Sequence, residues 1–415
     1  MRRASADTRI EATRTGFHYG YVILAVGILT VMGALGFARF GYATILPSMK
    51  DALLLNNTQM GMIATGNLIG YTAFSLIGGL LAARFGPRLL IGCSMLVTGA
   101  TMFMTGAVGG FWPAVVIRFL TGLGSAGANV PVMGLVSAWF GPRRRGMAAG
   151  FLVGGSGFGF LITGFLVPRV IAASPDDGWR FGWFILGGTV ILLAGLSSLL
   201  LRNKPSEMGC RPIGGSQAAA PGGDRLSWGS LYTSPALWRL GLVYLFFGFS
   251  YIIYGTFFAA AMTADKGFTQ AQAGAVWSGI GALAVFSGIA WGTVSDYLGR
   301  KNALALVFGL QAVSYFLFGM GDSPAALYAS ALLYGLTAFS IPGIVAAACG
   351  DYVGPRLAPA ALGMVTFFFA VGQALAPSIA GYLADVTSSF NAAFFLAAVV
   401  AAMGSGGSLT LRAPR

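Results

Sequence analysis

Apolar runs long enough to cross about 30 Å of hydrocarbon, roughly 20 residues each, recur twelve times along the chain. Broken at proline, glycine and charge clusters, they lie near 20–48, 58–82, 89–108, 112–139, 146–168, 181–201, 237–262, 271–294, 302–320, 325–349, 359–383 and 389–410. Neutral polar residues punctuate these runs, while charged residues gather between them. The pattern predicts an all-α polytopic membrane protein with twelve transmembrane helices. Connections are short except for a stretch containing GCRPIGGSQAAAPGGD, whose Gly, Pro and Ser content reads as a flexible linker. A six-helix amino-terminal half, residues 1–202, is thereby separated from a six-helix carboxy-terminal half, residues 237–415, with 203–236 as a cytoplasmic linker.

Composition agrees with a lipid solvent. Only 9% of the 415 residues are charged, against about 25% in soluble domains, too few to cover a water-facing surface. The 63 glycines suit a bilayer, where small residues let helices approach closely. The formal charge of +13 does not point to nucleic acid. With the amino terminus inside, nineteen of the 25 basic residues fall in inner segments, and only Lys50, Arg169, Arg180 and Lys266 fall in outer loops. That bias places both termini in the cytoplasm, in a multi-pass protein of the cytoplasmic (inner) membrane whose positive charge meets anionic lipid headgroups. Residues Met1 to Phe17 read as a cytoplasmic tail, since no short apolar region with a small-residue cleavage site follows. Cys93, Cys210 and Cys349 are scattered and His18 is the sole histidine. No metal site or other cofactor is expected from that set. The core offers no nucleophile–base pair, so an enzyme is not expected.

The halves align without a gap at an offset of 213 residues. Gln59 and Gly61 fall over Gln272 and Gly274, the segment Gly79 to Gly86 over Gly292 to Gly299, and Gly141-Pro-Arg143 over Gly354-Pro-Arg356. Three loop motifs in one register mark a 6+6 internal repeat. On these residues the chain resembles the major facilitator superfamily over its whole length. The loop Gly292-x-x-x-Asp296-Tyr297-x-Gly299-Arg300-Lys301 resembles that superfamily's signature loop, with the loop between spans 2 and 3 as a weaker copy carrying Ala83 in place of the acid. Arg118-Phe-Leu-Thr-Gly122-Leu-Gly124 in span 4 is similar to a second superfamily motif. Lys204-Pro-Ser-Glu-Met-Gly209-Cys-Arg-Pro212 resembles the segment after span 6 in bacterial relatives of the oxalate/formate and monocarboxylate transporters. Ala38-Arg39-Phe40-Gly41-Tyr42 with Leu46-Pro47 is similar to another bacterial branch. The resemblance implies two six-helix pseudo-repeats around a central cavity, rocking about a midplane site.

The candidate chemistry lies in the few charges inside the spans. All twelve acidic residues fall outside the spans or at their ends, whereas Arg39 in span 1 and Arg118 in span 4 lie well inside. Each buried arginine costs about 2.5–3.5 kcal/mol on insertion scales, and neither has an acidic neighbour in the sequence to offset it. A mobile anion would supply the missing partner, and arginine's planar fork suits carboxylate or phosphate oxygens. The resemblance implies that spans 1, 4, 7 and 10 line the cavity, which puts both arginines on cavity helices. Other readings stand beside this one: a structural or gating role on backbone carbonyls for Arg118, and snorkelling to the interface for Arg39.

Helical projection at 100° per residue groups further polar side chains. Thr121, Ser125 and Asn129 share an arc with Arg118, and Tyr42 follows Arg39 by one turn. Asn67 and Tyr71 share a face of span 2, Tyr244, Tyr251 and Tyr254 one of span 7, and Thr366 and Gln373 one of span 11. The candidate substrate-binding set is therefore Arg39, Arg118, Tyr42, Asn129, Asn67, Tyr71, Tyr251, Tyr254 and Gln373, with interhelical hydrogen bonding as the competing role. The resemblance implies a gate at the inner ends of the helices, where Asp296 faces the amino end of span 5 beside Arg143, with Arg300 and Arg84 as further members.

The expected activity is secondary active or facilitative transport of a small organic anion, a carboxylate first, by alternating access in a monomer. The alternative is a multidrug or metabolite efflux transporter. Span 5, Gly150-Phe-Leu-Val-Gly154-Gly155-Ser-Gly157, has the spacing of the drug antiporters' Gly-Pro signature but carries Gly155 in place of the proline, which weighs against efflux.

Overall fold

The computed structural model describes residues 18–214, 233–321 and 323–411, without the side chains of 76, 137, 142, 143, 354–356 and 359. The twelve expected spans are helices: α1 Tyr19–Leu53, α2 Asn57–Phe85, α3 Pro87–Gly106, α4 Phe111–Trp139, α5 Pro142–Ala173 and α6 Gly178–Leu200 in the first half. The second half holds α7 Pro235–Ala264, α8 Gln270–Leu298, α9 Arg300–Met320, α10 Pro324–Val353, α11 Ala360–Thr387 and α12 Asn391–Leu409. The backbone stays helical from Ser340 to Thr387, so α10 passes into α11 without the expected intervening loop. Large apolar side chains such as Leu80, Trp112 and Leu192 point outward and are exposed, an outer surface suited to lipid. The face on which α1 begins is termed the proximal face and the opposite one the distal face.

The sequence repeat has a physical basis in helix starts and turns. Asn56 caps α2 in a capping box with Gln59, and 213 residues later Thr269 caps α8 in the same box with Gln272. In each case the side chains satisfy two amide groups that the first turn leaves without partners. Gly86 and Gly299, in the tight turns after α2 and α8, have φ of +86° and +79°, a region that only glycine enters without strain.

Helix α1 is interrupted. Residues Met32–Phe40 form a π-helical segment between α-helical Tyr19–Val31 and Gly41–Leu53. Gly36 in this segment meets Gly159 of α5 backbone to backbone, leaving no room for a Cβ on either. Between the halves, α5 packs on α8 and α2 on α11. A π segment at mid-helix widens the turn and commonly marks a functional position; here it carries Arg39.

The first part of the segment after α6 is held in place, while residues 215–232, most of the expected linker, lie outside the described residues. The Trp139 and Gly141 backbones bond to Ile213 at 2.9 and 2.8 Å, Trp139 Nε1 donates to the Arg202 carbonyl at 3.0 Å, and Arg88 N donates to Asn203 Oδ1 at 2.9 Å. Residues 201–214 are thus bound across the proximal ends of the first half.

Candidate substrate site between the halves

Arg39 reaches from the π segment of α1 across to the second half. Its Nη1 donates to Gln373 Oε1 of α11 at 3.3 Å and to Tyr251 Oη of α7 at 3.4 Å, and its guanidinium lies 4.4 Å from the centre of the Tyr71 ring on α2. Tyr251 Oη donates to the same Gln373 oxygen at 3.2 Å, and Asn129 Nδ2 of α4 donates to Tyr71 Oη at 2.8 Å. Five candidates from five helices therefore converge: Arg39, Tyr71, Asn129, Tyr251 and Gln373. The Tyr251 ring extends an aromatic wall, stacked on Phe247 at 4.6 Å with Tyr244 on Phe369 at 4.7 Å.

Arg118 is placed differently. It is 1% exposed, donates from Nη1 to the Ala38 carbonyl at 2.6 Å, and lies 5.2 and 5.0 Å from the ring centres of Tyr42 and Trp183. The backbone acceptor it satisfies belongs to the π segment, immediately before Arg39. Asn67 Nδ2 donates to the Arg118 carbonyl at 3.2 Å, and Tyr42 Oη donates to the Met60 carbonyl at 2.9 Å. Tyr254 lies apart from this group, hydrogen-bonded to Ser330 at 3.0 Å and stacked on Tyr334 at 4.1 Å inside the second half.

The site is short of partners. Arg39 Nε and Nη2, Arg118 Nε, Gln373 Nε2, Asn67 Oδ1 and Asn129 Oδ1 are buried without a hydrogen bond. Neither arginine pairs with an acidic side chain among the described residues. Each unpaired buried donor or acceptor costs about 1–3 kcal/mol, so the cluster is poised to take up a ligand or water. The space left in this closed arrangement is a cavity of about 10 Å³ lined by Arg39, Tyr42, Asn67, Arg118 and Thr256, room for one water molecule.

Distal contacts close the site on that side. Asp385, in the last turn of α11, accepts from the Asn57 and Thr58 amides at 2.9 and 2.8 Å and from the Thr58 hydroxyl, capping α2 of the other half. Ser48 donates to Gln270 Oε1 at 3.1 Å, and Gln270 Nε2 donates to the Thr44 carbonyl at 3.1 Å. Above them lies a cavity of about 330 Å³ lined by Lys50, Asn57, Asp265, Asp385 and Ser388.

On the proximal face, Arg300 pairs with Asp296 one turn away and with Asp351 of α10 at 3.0 Å. The Asp296 carboxylate is thus engaged within its own half. The Arg143 side chain lies outside the described residues, and Arg84 is exposed with its guanidinium 5.3 Å from the Phe85 ring centre. Asp351, Asp385, Thr256 and Trp183 were not among the sequence candidates. The first two had a readable signal as acids at span ends, whereas a lone Thr or Trp in an apolar run carried none.

Residues 31–408 match the family described as the uncharacterised MFS-type transporter YbfB. The chain belongs to the major facilitator superfamily. It is a membrane transporter and not an enzyme. Two similar proteins are the hexuronate transporter of Bacillus subtilis, 25% identical over 88% of this chain and 89% of that one, and the probable sulfoacetate transporter SauU of Cupriavidus necator, 24% identical over 93% of each. The fold matches a bacterial homologue of the human lysosomal transporter Spinster with a TM-score of 0.76 at 15% identity, covering 95% of this chain and 97% of that structure.

Proposed function

We propose that this transporter carries small organic anions, carboxylates first, across the cytoplasmic membrane by alternating access. The observation that carries the proposal is Arg39: a guanidinium between the halves, held by two long bonds to neutral partners, with Nε and Nη2 unused. An anion offering two oxygens would replace weak neutral acceptors with charge-assisted bonds, which are about twice as strong. Because Arg39 belongs to the first half and Tyr251 and Gln373 to the second, a ligand held by all three ties the halves together. That coupling is what an alternating-access transporter requires of its substrate. The names of the two relatives, both transporters of organic anions, support the same class.

In this reading the halves 1–202 and 237–415 are the moving bodies, 203–236 joins them, the proximal face is cytoplasmic, and the protein works as a monomer. A thermal-stability screen of the purified protein with mono- and dicarboxylates, phosphate esters and lipophilic cations tests it. Carboxylates are expected to raise the melting temperature of the wild type and to lose the effect in Arg39→Gln. Stabilisation by lipophilic cations alone would turn the reading towards efflux.

A further inference from the structure

Resting on that anion reading, we infer that the site selects carboxylates bearing a hydroxyl on the carbon next to the carboxyl group, the 2-hydroxycarboxylates. The unused polar atoms are of two kinds. Arg39 Nε and Nη2, Arg118 Nε and Gln373 Nε2 are donors, and they match carboxylate oxygens; Asn67 Oδ1 and Asn129 Oδ1 are acceptors, to which a carboxylate gives nothing, and of the two residues Asn67 lines the cavity beside Arg39.

The assignment of Asn67 follows from its partner. Its other amide atom contacts the Arg118 carbonyl, which only accepts, so the contact must be Nδ2 and the unpaired atom must be oxygen. Gln373 is fixed by the same logic. The atom facing Arg39, a group that only donates, must be Oε1, which leaves Nε2 as the free donor.

Asn67 is 1% exposed, and the cavity it shares with Arg39 is also lined by Thr256, 5% exposed. Thr256 forms no hydrogen bond through its hydroxyl among the described residues. The cavity takes one group the size of a water molecule. A substrate hydroxyl fits there, donating to Asn67 Oδ1 and bonding Thr256. Arg39 lines the same cavity, so the most compact ligand that serves both puts the hydroxyl on the carbon next to the carboxylate that Arg39 holds. A plain carboxylate or a sulfonate of the same length leaves Asn67 Oδ1 buried and unpaired, and sites built to bond a hydroxyl reject analogues lacking it.

The experiment measures dissociation constants on the purified full-length protein for two matched pairs, gluconate against 2-deoxygluconate and lactate against propionate. In the wild type the hydroxylated member of each pair is expected to bind at least about tenfold more tightly. Asn67→Leu should bring that ratio close to one, by weakening the hydroxylated member of each pair more than its partner. Thr256→Val, which keeps the side-chain shape and so preserves the fold, should lower the ratio to an intermediate value. A wild-type ratio near one with carboxylates still bound would overturn the hydroxyl assignment and leave the anion reading standing. Absence of binding by all four compounds and by the wider carboxylate panel would overturn both. A wild-type preference unchanged in Thr256→Val and Asn67→Leu would remove the hydroxyl from this cavity.

Discussion

Arg39 and Arg118 are the same residue type at similar depth, and the bilayer charges each a comparable cost. Their surroundings separate them. Arg118 also borders the small cavity between the halves, but its bond and ring contacts come from its own half, the Ala38 carbonyl and the Tyr42 and Trp183 rings. Cation–π contacts of this kind reach about 2 kcal/mol when desolvated, so the fold itself offsets the charge. Arg39 has one aromatic face from its own half and two long hydrogen bonds to the other half. A buried charge without a counter-ion is therefore not by itself a binding site: what matters is which body supplies its remaining partners. Arg118 holds the stretch of backbone from which Arg39 projects, and Arg39 reaches across to the other half.

Arg39→Gln should have the greatest consequence. Losing two charge-assisted bonds, each about 1.5–3 kcal/mol, should weaken carboxylate binding by about 100-fold or more, while the unliganded protein melts no lower than the wild type. Equilibrium binding together with the unliganded melting curve checks both halves of that statement. Arg118→Met should behave the opposite way. It removes the bond to the Ala38 carbonyl in the π segment, lowering stability by about 1–3 kcal/mol, and its effect on binding should be smaller than that of Arg39→Gln. If Arg118→Met abolished binding with stability intact, the contrast between the two arginines would be reversed. Gln373→Leu removes one neutral amide that both bonds Arg39 and offers Nε2, and should weaken binding about fivefold to tenfold, read from the same isotherms.

The span pattern and the 213-residue offset made most of the fold legible, because both rest on local physics. Apolar length fixes a crossing, and Gln59 and Gln272 recur because each completes a capping box. Arg39, Tyr251 and Gln373 were legible as candidates because polar groups inside a bilayer are costly and stand out. Their meeting was not, since it depends on how α1, α7 and α11 cross. The π segment left no mark that a 100° projection detects, because it changes the angle per residue that the projection assumes. Tyr254 illustrates the converse limit: it shares a helix with Tyr251, yet three residues are enough to turn its hydroxyl from Gln373 to Ser330.

A gentler contrast concerns the two faces. The repeat offset places Ala172 opposite Asp385 and Ala83 opposite Asp296, so each acid occurs in one half only. Their present engagements differ: Asp296 is bound within its own half through Arg300, whereas Asp385 bonds across the halves to the first turn of α2. A carboxylate at a helix start is favoured both by free amide groups and by the helix dipole. In the proposed mechanism α2 and α11 move with different halves, so opening the distal face would break these bonds. Asp385→Asn keeps an acceptor oxygen but removes the charge, a change of about 0.3–1 kcal/mol, and should raise the distally open population about twofold to fivefold. Labelling of a cysteine introduced at Ser388, beside the distal cavity, reads that population, with exposed Cys93 replaced to remove background. Asp296→Asn, measured with the same probe, should leave distal labelling nearly unchanged, since its bonds stay within one half. Equal responses from the two variants would mean that the faces are gated by the same charge network rather than by separate ones.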